Sequence, residues 1–256
     1  MGAMFDLSQR VAVVTGGAGG IGSAIARGLA AQGAKVVITS RNIESLKKTA
    51  EEIATELDAE ILPLVADVTN EASVAALVQQ VVKQLGTVDI LVNAHGFNVK
   101  AMALDFPINE WQRLFDANVK GTMITCKEFG RVMVEKRYGK IVNVSSVRGV
   151  RANAGGNSGY CATKAAVDMI TRCLAAEWAP YKVNVNAVGP ALIATKFTEK
   201  QMQEPGRTEK YLRNIPWGRL GLANDVVGAV VFLASDAAEF VTGQIIYVDG
   251  GLTAIG

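Results

Sequence analysis

Short apolar runs alternate with longer amphipathic stretches along most of the chain. The apolar runs are rich in β-branched residues and nearly continuous, which is typical of strands covered on both faces. Seven of them are predicted as strands, at 10–16, 35–39, 60–67, 88–94, 140–146, 182–188 and 244–250. Helical spacing of apolar residues predicts helices between them, most clearly at 21–33, 44–57, 71–86, 109–134 and 159–178.

Alternation of strands and helices with short connections predicts right-handed βαβ units. The expected fold class is therefore α/β: one Rossmann-type domain over residues 1–256, with a doubly wound parallel sheet of about seven strands and helices on both faces. Residues 190–222 break the rhythm, because they are too many for a plain connection. We expect this segment to form a lid over a ligand, with Lys196 near its start.

Composition and charge narrow the class of protein. Half of the 256 residues are hydrophobic, which allows a large core, and the net charge is only +2. Mixed charges give no basic patch for a nucleic acid, and no run approaches the roughly 18–20 apolar residues of a membrane span. The start, MGAMFDLSQR, lacks the features of a signal peptide. We therefore expect a cytoplasmic protein with no nucleic-acid or membrane partner.

Cysteine and histidine usage argues against a metal site. Cys126, Cys161 and Cys173 have no paired spacing, and His95 is the single histidine. Since zinc and iron sites usually draw their ligands from these two residue types, no metal is expected. Three unpaired cysteines fit reduced thiols.

A glycine-rich stretch, TGGAGGIG at 15–22, joins the first strand to the first helix. Glycines at this junction allow a tight turn and a close approach to a pyrophosphate, and the helix N-terminus presents free N–H groups to it. The alternative is a merely flexible turn. Its place after the first strand favours dinucleotide binding. The candidate residues are Gly16, Gly20, Ile21 and Gly22.

The end of the second strand predicts which dinucleotide binds. An acidic residue there holds the 2′-hydroxyl of NAD, whereas an arginine accommodates the 2′-phosphate of NADP. This chain has Ser40 and Arg41 and no acid. We therefore expect NADP(H) to be preferred over NAD(H), although Arg41 as an ordinary surface residue is the competing interpretation.

Tyr160 and Lys164 stand four residues apart in YCATK, on one face of the helix predicted at 159–178. A nearby ammonium favours the phenolate, so Lys164 is expected to lower the pKa of Tyr160 and fit it for proton transfer. Such a pair also arises by chance on ordinary helix surfaces. Ser145 and Ser146 strengthen the catalytic interpretation, because they end a strand where open α/β sheets bind ligands.

These motifs together resemble the short-chain dehydrogenase/reductase family over nearly the whole chain. The matching pieces, in order, are TGGAGGIG, Asp67 after the third strand, Asn118 in DANVKG, the serine strand, YCATK, NAVGP at 186–190 and YVDGG near the end. Within the family, the chain is similar to the subgroup that includes gluconate 5-dehydrogenases.

The resemblance implies a role for each matching residue. Tyr160 would be the general acid/base, Lys164 would hold the nicotinamide ribose, Ser146 would bind the substrate oxygen, and Asn118 would hold a water in the proton relay. The implied cofactor contacts also include Asp67, Val68, Asn93, Gly96, Pro190, Ile193 and Thr195. Proline is usually followed by glycine at this point in the family, so Ala191 requires a negative φ.

The substrate is predicted from charge. Lys100, Arg148, Arg151 and Asn153 lie in loops that should meet at one crevice, where cations would hold an anionic substrate. The leading hypothesis is a secondary alcohol and ketone pair on a sugar acid or polyol. The alternatives are a 3-oxoacyl-thioester reductase and a non-catalytic NADP-binding sensor.

Two further expectations follow from the resemblance. Family members commonly form tetramers through long helices, here 109–134 and 159–178, so a homotetramer is expected. His95 stands where the family usually has alanine, and Ala94 stands where the family's second asparagine is usual. We expect His95 to pack or hydrogen-bond beside the cofactor rather than to act as a base.

Overall fold

A parallel sheet forms the centre of the computed structural model, which describes residues 4–195, 198 and 206–255. Among these residues the strands, in chain order, are β1 (Val11–Thr15), β2 (Lys35–Ser40), β3 (Ile61–Val65), β4 (Ile90–Asn93), β5 (Gly139–Val144), β6 (Val183–Pro190), β7 (Ile193–Ala194), β8 (Gly221–Leu222) and β9 (Ile245–Val248). The seven-stranded sheet has the order β3-β2-β1-β4-β5-β6-β9. All seven predicted strands are thus confirmed.

The strand order creates the crevice of the molecule. The chain starts in the middle with β1, builds outward through β2 and β3, and then returns to place β4 on the other side of β1. Loops that leave β1 and β4 therefore diverge at their carboxyl ends, which is where open α/β sheets bind ligands. In register, Thr15 lies opposite Asn93, and Asn93 opposite Asn143.

Helices cover both faces of the sheet. They are α1 (Gly20–Ala31), α2 (Ile43–Leu57), α3 (Glu71–Leu85), α4 (Ile108–Phe115), α5 (Gly121–Lys136), α6 (Ser158–Trp178), α7 (Arg207–Leu212) and α8 (Ala223–Ala234). One buried cluster joins α1, α2 and α8 to the sheet, and a second joins α3, α5 and α6 to the opposite face. Successive β1 residues show the division, since Val13 packs into one cluster and Val14 into the other.

The predicted long helix at 109–134 has an interruption. Between α4 and α5, residues Asp116–Lys120 form one turn of π-helix, in which Gly121 N–H donates to the Asp116 carbonyl five residues earlier. Hydrophobic spacing predicts the extent of the helix but does not distinguish this wider turn from a regular one. Asn118 lies inside the turn.

The predicted lid at 190–222 is only partly described. Its ends form the short parallel pair of β7 and β8, and α7 lies between them. Lys196 and residues 199–205 lie outside the described residues. No helix among the described residues combines the length and apolar character needed to cross a membrane.

Candidate active site

The loop after β1 is shaped for a phosphate group. Gly16 has a φ of +67°, and a Cβ there would lie 2.7 Å from the carbonyl oxygen of Ala94. No side chain other than hydrogen therefore fits between the loop and β4. This close approach keeps the loop low against the end of the sheet.

The start of α1 supplies the donors. The first helical turn is closed by Ser23 N–H, which donates to Gly19 O, and no side chain caps this end. The amides of Gly20, Ile21 and Gly22 therefore have no acceptor within the helix. Three such N–H groups and the positive end of the helix dipole fit a pyrophosphate.

The carboxyl ends of β2 and β3 form the outer end of the crevice. Ser40 ends β2, and Arg41 follows it with an exposed side chain. The pKa of Asp67 lies below its usual value, and the largest cause is the hydrogen bond from Thr69 N–H. The Thr69 hydroxyl and the positive charge of Arg41 lower it further. Arg41 therefore lies close enough to Asp67 for its charge to act on the carboxylate, at the end of the sheet where both residues are predicted to meet the cofactor.

The proposed catalytic side chains meet where β5 faces α6. Ser146, just after β5, is close enough to Tyr160 to act to lower the pKa of its phenol, while the Ser145 hydroxyl donates to the Lys164 carbonyl at 3.4 Å. Lys164 is 5% exposed, and its Nζ donates to the Val144 carbonyl at 2.8 Å. Serine, tyrosine and lysine are thus brought together, and Ser146 is the serine that reaches the phenol.

The pKa of Tyr160 is shifted in the direction opposite to that expected. Burial raises it to about 12, and the Ser146 hydrogen bond and the charge of Arg148 lower it only in part. The Lys164 ammonium lies 5.6 Å from the ring centre and is itself buried. The prediction that Lys164 makes Tyr160 more acidic than usual is therefore wrong for this arrangement, because desolvation of the phenolate outweighs nearby positive charge.

Asn118 connects the π-turn to the neighbouring loop and helix. It is 1% exposed. Its Oδ1 accepts from Phe97 N–H at 3.0 Å, and its Nδ2 donates to Phe97 O at 3.0 Å and to Thr163 Oγ1 at 3.1 Å. Thr163 immediately precedes Lys164 on α6, so the amide of Asn118 ties the turn to the catalytic helix.

Known proteins share this fold and this set of motifs. A family model described as enoyl-(acyl carrier protein) reductase matches residues 16–253. The NAD-dependent glycerol dehydrogenase of Listeria innocua is 36% identical over 251 residues, which span 97% of this chain and 96% of that protein. The 3-oxoacyl-[acyl-carrier-protein] reductase of Thermotoga maritima is 38% identical over 249 residues, which span 96% of this chain and 98% of that protein.

A solved structure agrees in detail. The gluconate 5-dehydrogenase of Burkholderia cenocepacia, in complex with NADP and tartrate, superposes with a TM-score of 0.95 at 34% identity, over 99% of this chain and 98% of that one. The chain belongs to the short-chain dehydrogenase/reductase family. It is therefore an oxidoreductase that acts on CH–OH groups with a nicotinamide dinucleotide.

The side chain of Asn93, one of the predicted cofactor residues, is bonded within the sheet. Asn93, at the end of β4, is 2% exposed. Its Nδ2 donates to Asn143 Oδ1 at 2.9 Å and contacts Cys126 Sγ at 3.3 Å. The Asn93 side chain is therefore used inside the sheet, where it holds β4 against β5, and a contact with the cofactor would come from its backbone.

Position 96, three residues after Asn93, requires a glycine. Gly96 has a φ of +140°, and a Cβ there would lie 2.9 Å from Asn118 Oδ1 and 3.8 Å from Lys164 Nζ. The backbone at Gly96 therefore lies directly against two of the proposed catalytic side chains. Val68, after β3, packs against the start of α5, since its Cγ2 would lie 3.0 Å from a Cβ at Gly121.

The end of β6 completes the inner part of the crevice. Ser146 Oγ donates to the Pro190 carbonyl at 3.4 Å. Ala191 has no positive φ, so alanine is tolerated where the short-chain dehydrogenase/reductase family usually has glycine. Ile193 is 3% exposed, and Thr195 Cγ2 would lie 2.8 Å from a Cβ at Gly20. Thr195 therefore borders the phosphate loop.

The predicted substrate residues have different surroundings. Lys100 is exposed in the loop after β4. Arg148 acts on the pKa of Tyr160 through its charge, and its Nη1 donates to the carbonyls of residues 151 and 152. Asn153 Oδ1 accepts from Gly155 N–H at 2.7 Å, which closes its own turn. The charge of Arg148 therefore acts on the phenol of Tyr160.

Arg151 requires a different interpretation. Its Nη1 donates to the backbone carbonyls of Leu252 and Ile255. The guanidinium therefore anchors the carboxyl-terminal segment to the loop after β5. These partners are about a hundred residues away in the chain, and no local sequence signal indicates them.

Sequence reasoning missed one charged neighbour of Lys164. Asp168 is 2% exposed, four residues further along α6, and a Cβ at Gly149 would lie 2.2 Å from its Oδ2. Its negative charge opposes the burial that lowers the pKa of Lys164 to about 8. The spacing of four residues is a signal that could have indicated this pair.

Proposed function

We propose that the protein is an NADP(H)-dependent dehydrogenase that interconverts a secondary alcohol and a ketone on a sugar acid or polyol. The observation that carries the substrate class is Arg148, whose charge acts on Tyr160. In the described part of the chain its hydrogen bonds run from Nη1 alone. Its Nε and Nη2 can therefore pair with a substrate carboxylate beside the reacting carbon.

The proposed mechanism assigns a separate task to each catalytic side chain. The dinucleotide, when bound, supplies the hydride acceptor or donor. Ser146 holds the substrate oxygen, and Tyr160 transfers the proton to or from that oxygen. Because burial raises the pKa of Tyr160 to about 12, the phenol is protonated at neutral pH, which is the form that ketone reduction needs.

Lys164 and Asn118 support the tyrosine. Burial lowers the pKa of Lys164 to about 8, so its ammonium can exchange a proton close to neutral pH. Asn118 lies in the π-turn and bonds Thr163 of α6, and there it would order a water that leads the proton outward. Lys164 would also hold the nicotinamide ribose, while Gly16, Gly20, Ile21 and Gly22 bind the pyrophosphate.

We expect a substrate panel to favour polar substrates. Sugar acids, polyols and an acetoacetyl thioester would be assayed with NADP(H) and NAD(H), using wild type and Arg148→Gln. The variant should lose about 10- to 100-fold in kcat/KM on a sugar acid, because a charge-assisted pair is removed, and less on a neutral polyol. Faster turnover of the acetoacetyl thioester would favour the 3-oxoacyl reductase instead. Cofactor binding without any turnover would favour the sensor.

Arg41 should determine the preference for NADP. We expect wild type to bind NADP more tightly than NAD, and Arg41→Asp to weaken NADP binding about 10- to 100-fold while NAD binding improves. Calorimetric titration with each cofactor measures both affinities. Lys48→Asp is the matched control, because it changes the net charge equally at an exposed position on α2. A wild type that prefers NAD would contradict the proposal.

We further propose a cytoplasmic homotetramer and a lid over residues 190–222. Two exposed methionines support an assembly through α5 and α6, since Met123 is 40% and Met169 55% exposed. Apolar side chains of this size on helix surfaces are typical of contacts between subunits. The parallel pairing of β7 with β8 supports a lid whose ends are fixed together.

A further inference from the structure

His95 joins the central sheet to the helix that follows α4. Its Nδ1 lies 2.6 Å from the Oγ1 of Thr15, at the end of β1. On its other side Nε2 lies 3.5 Å from Thr122 Oγ1 and would lie 3.2 Å from a Cβ at Gly121, and the nearby backbone of Ala117 acts to raise the pKa of the ring. The imidazole therefore bridges the strand that leads into the phosphate loop and the turn that carries Asn118.

The π-turn changes the partners of the Ala117 carbonyl. In a regular α-helix, Gly121 N–H would donate to the Ala117 carbonyl four residues earlier. Here it donates to Asp116 instead. The Ala117 carbonyl is therefore released from Gly121 in the turn that borders the imidazole. Without a partner, that carbonyl would carry the cost of a polar group removed from water.

The neighbours of the ring favour one tautomer. A neutral imidazole has one donor nitrogen and one acceptor nitrogen. A backbone carbonyl can only accept, so the arrangement fits a ring in which Nε2, on the helix side, carries the hydrogen and faces Ala117. The Thr15 hydroxyl would then donate to Nδ1. Burial, and after it the charge of Lys164, lower the pKa of His95, which keeps the ring neutral.

The turn held by His95 carries the asparagine of the proton relay. Asn118 bonds both backbone groups of Phe97 and also Thr163, which is next to Lys164. The backbone of Gly96 closes against the same amide oxygen. A shift of the turn would therefore move Asn118 relative to α6.

We propose that His95 is a positioning residue: by linking Ala117 to Thr15, it fixes the π-turn and so sets the place of Asn118 beside Lys164. This inference rests on the proposed catalytic role of Asn118, Tyr160 and Lys164. It gives the single histidine a part in proton transfer without contact between the imidazole and the substrate.

The kinetic test compares two substitutions. His95→Ala removes both hydrogen bonds, and we expect kcat to fall about 10- to 100-fold, since a misplacement of about 1 Å can cost this much. The solvent deuterium isotope effect on kcat should rise, because proton transfer becomes slower. His95→Gln offers one donor and one acceptor and should restore most of kcat. Cys126→Ala is the control, because it removes a buried side chain near β4 without touching the turn.

Two measurements do not depend on turnover. With ¹⁵N-histidine, the single histidine gives one pair of ring nitrogen signals, and we expect the Nε2–H tautomer from pH 6 to 8. Thr15→Val should move the Nδ1 signal. Hydrogen exchange of amides 116–122 should accelerate in His95→Ala and remain near wild type in His95→Gln.

The outcomes separate this inference from the proposed function. If wild type turns over none of the substrates, the proposed function fails, and the ¹⁵N and exchange data alone decide whether His95 holds the turn. If wild type is active, His95→Ala with unchanged kcat and isotope effect overturns the inference. Equal losses in His95→Ala and His95→Gln, or the same isotope effect in Cys126→Ala, also overturn it.

Discussion

Tyr160→Phe is expected to lower kcat by about 10²- to 10⁴-fold, which is the usual contribution of a general acid or base. The phenol lies close enough to Ser146 for this serine to act on its pKa. Ser146 keeps the Arg148 N–H as a donor and the Pro190 carbonyl as an acceptor when the phenol is removed. The site should therefore stay folded, and binding of NADP should remain close to wild type.

Tyr138→Phe is the matched control for this experiment. Tyr138 donates to Asp236 Oδ1 at 2.9 Å, beside Arg10 at the opposite end of the sheet. The same loss of a hydroxyl there should reduce stability but leave kcat unchanged. If Tyr160→Phe retains more than about a tenth of wild-type kcat, the phenol does not transfer the proton.

Most of the fold could be predicted from local patterns. The seven sheet strands and the start of α1 follow from apolar runs and from a glycine motif, and both signals lie within a few residues. The π-turn at Asp116–Lys120 could not be predicted, since its hydrogen bonds differ from those of an α-helix by a single residue in register. That difference releases the Ala117 carbonyl from Gly121.

The residues of the candidate site could likewise be predicted from local motifs, whereas their electrostatics and long-range contacts could not. Tyr160, Lys164 and Ser146 stand in recognisable motifs, and the structure brings them together. The electrostatics did not follow from spacing, because the pKa of Tyr160 depends on how deeply the fold buries it. Arg151 shows the same limit, since its carbonyl partners belong to a segment that only the tertiary fold brings near.

His95 was expected to pack beside the cofactor in place of a family residue. The structure places the hydroxyls of Thr15 and Thr122 on either side of it, and strand and helix patterns do not predict the irregular turn beside the ring. In the arrangement we propose, the histidine in place of the family's usual alanine and the irregular helix belong together: the wide turn releases the Ala117 carbonyl from Gly121, and the imidazole donates to it.

Lys164→Met should abolish turnover and at the same time stabilise the protein near neutral pH. The ammonium is 5% exposed, and burial lowers its pKa to about 8 from an ordinary value of 10.5. Below pH 8 Lys164 is therefore protonated in the folded protein, where its charge costs more free energy than in the unfolded chain. Methionine of similar length removes this cost, although it also loses the hydrogen bond to Val144. We expect a net gain of about 1–2 kcal/mol in the free energy of unfolding at pH 7.

The stability difference between Lys164→Met and wild type should depend on pH. Between pH 8 and 10.5 the unfolded wild type binds more protons than the folded one, so wild-type stability rises with pH over this window. The advantage of Lys164→Met should be largest below pH 8 and fade as the pH approaches 10.5. Denaturant unfolding at several pH values measures it, with Lys48→Met as the same change at an exposed site on α2. A variant less stable than wild type at pH 7 would show that Asp168 already compensates the buried charge, and that Lys164 is not held at a cost for catalysis.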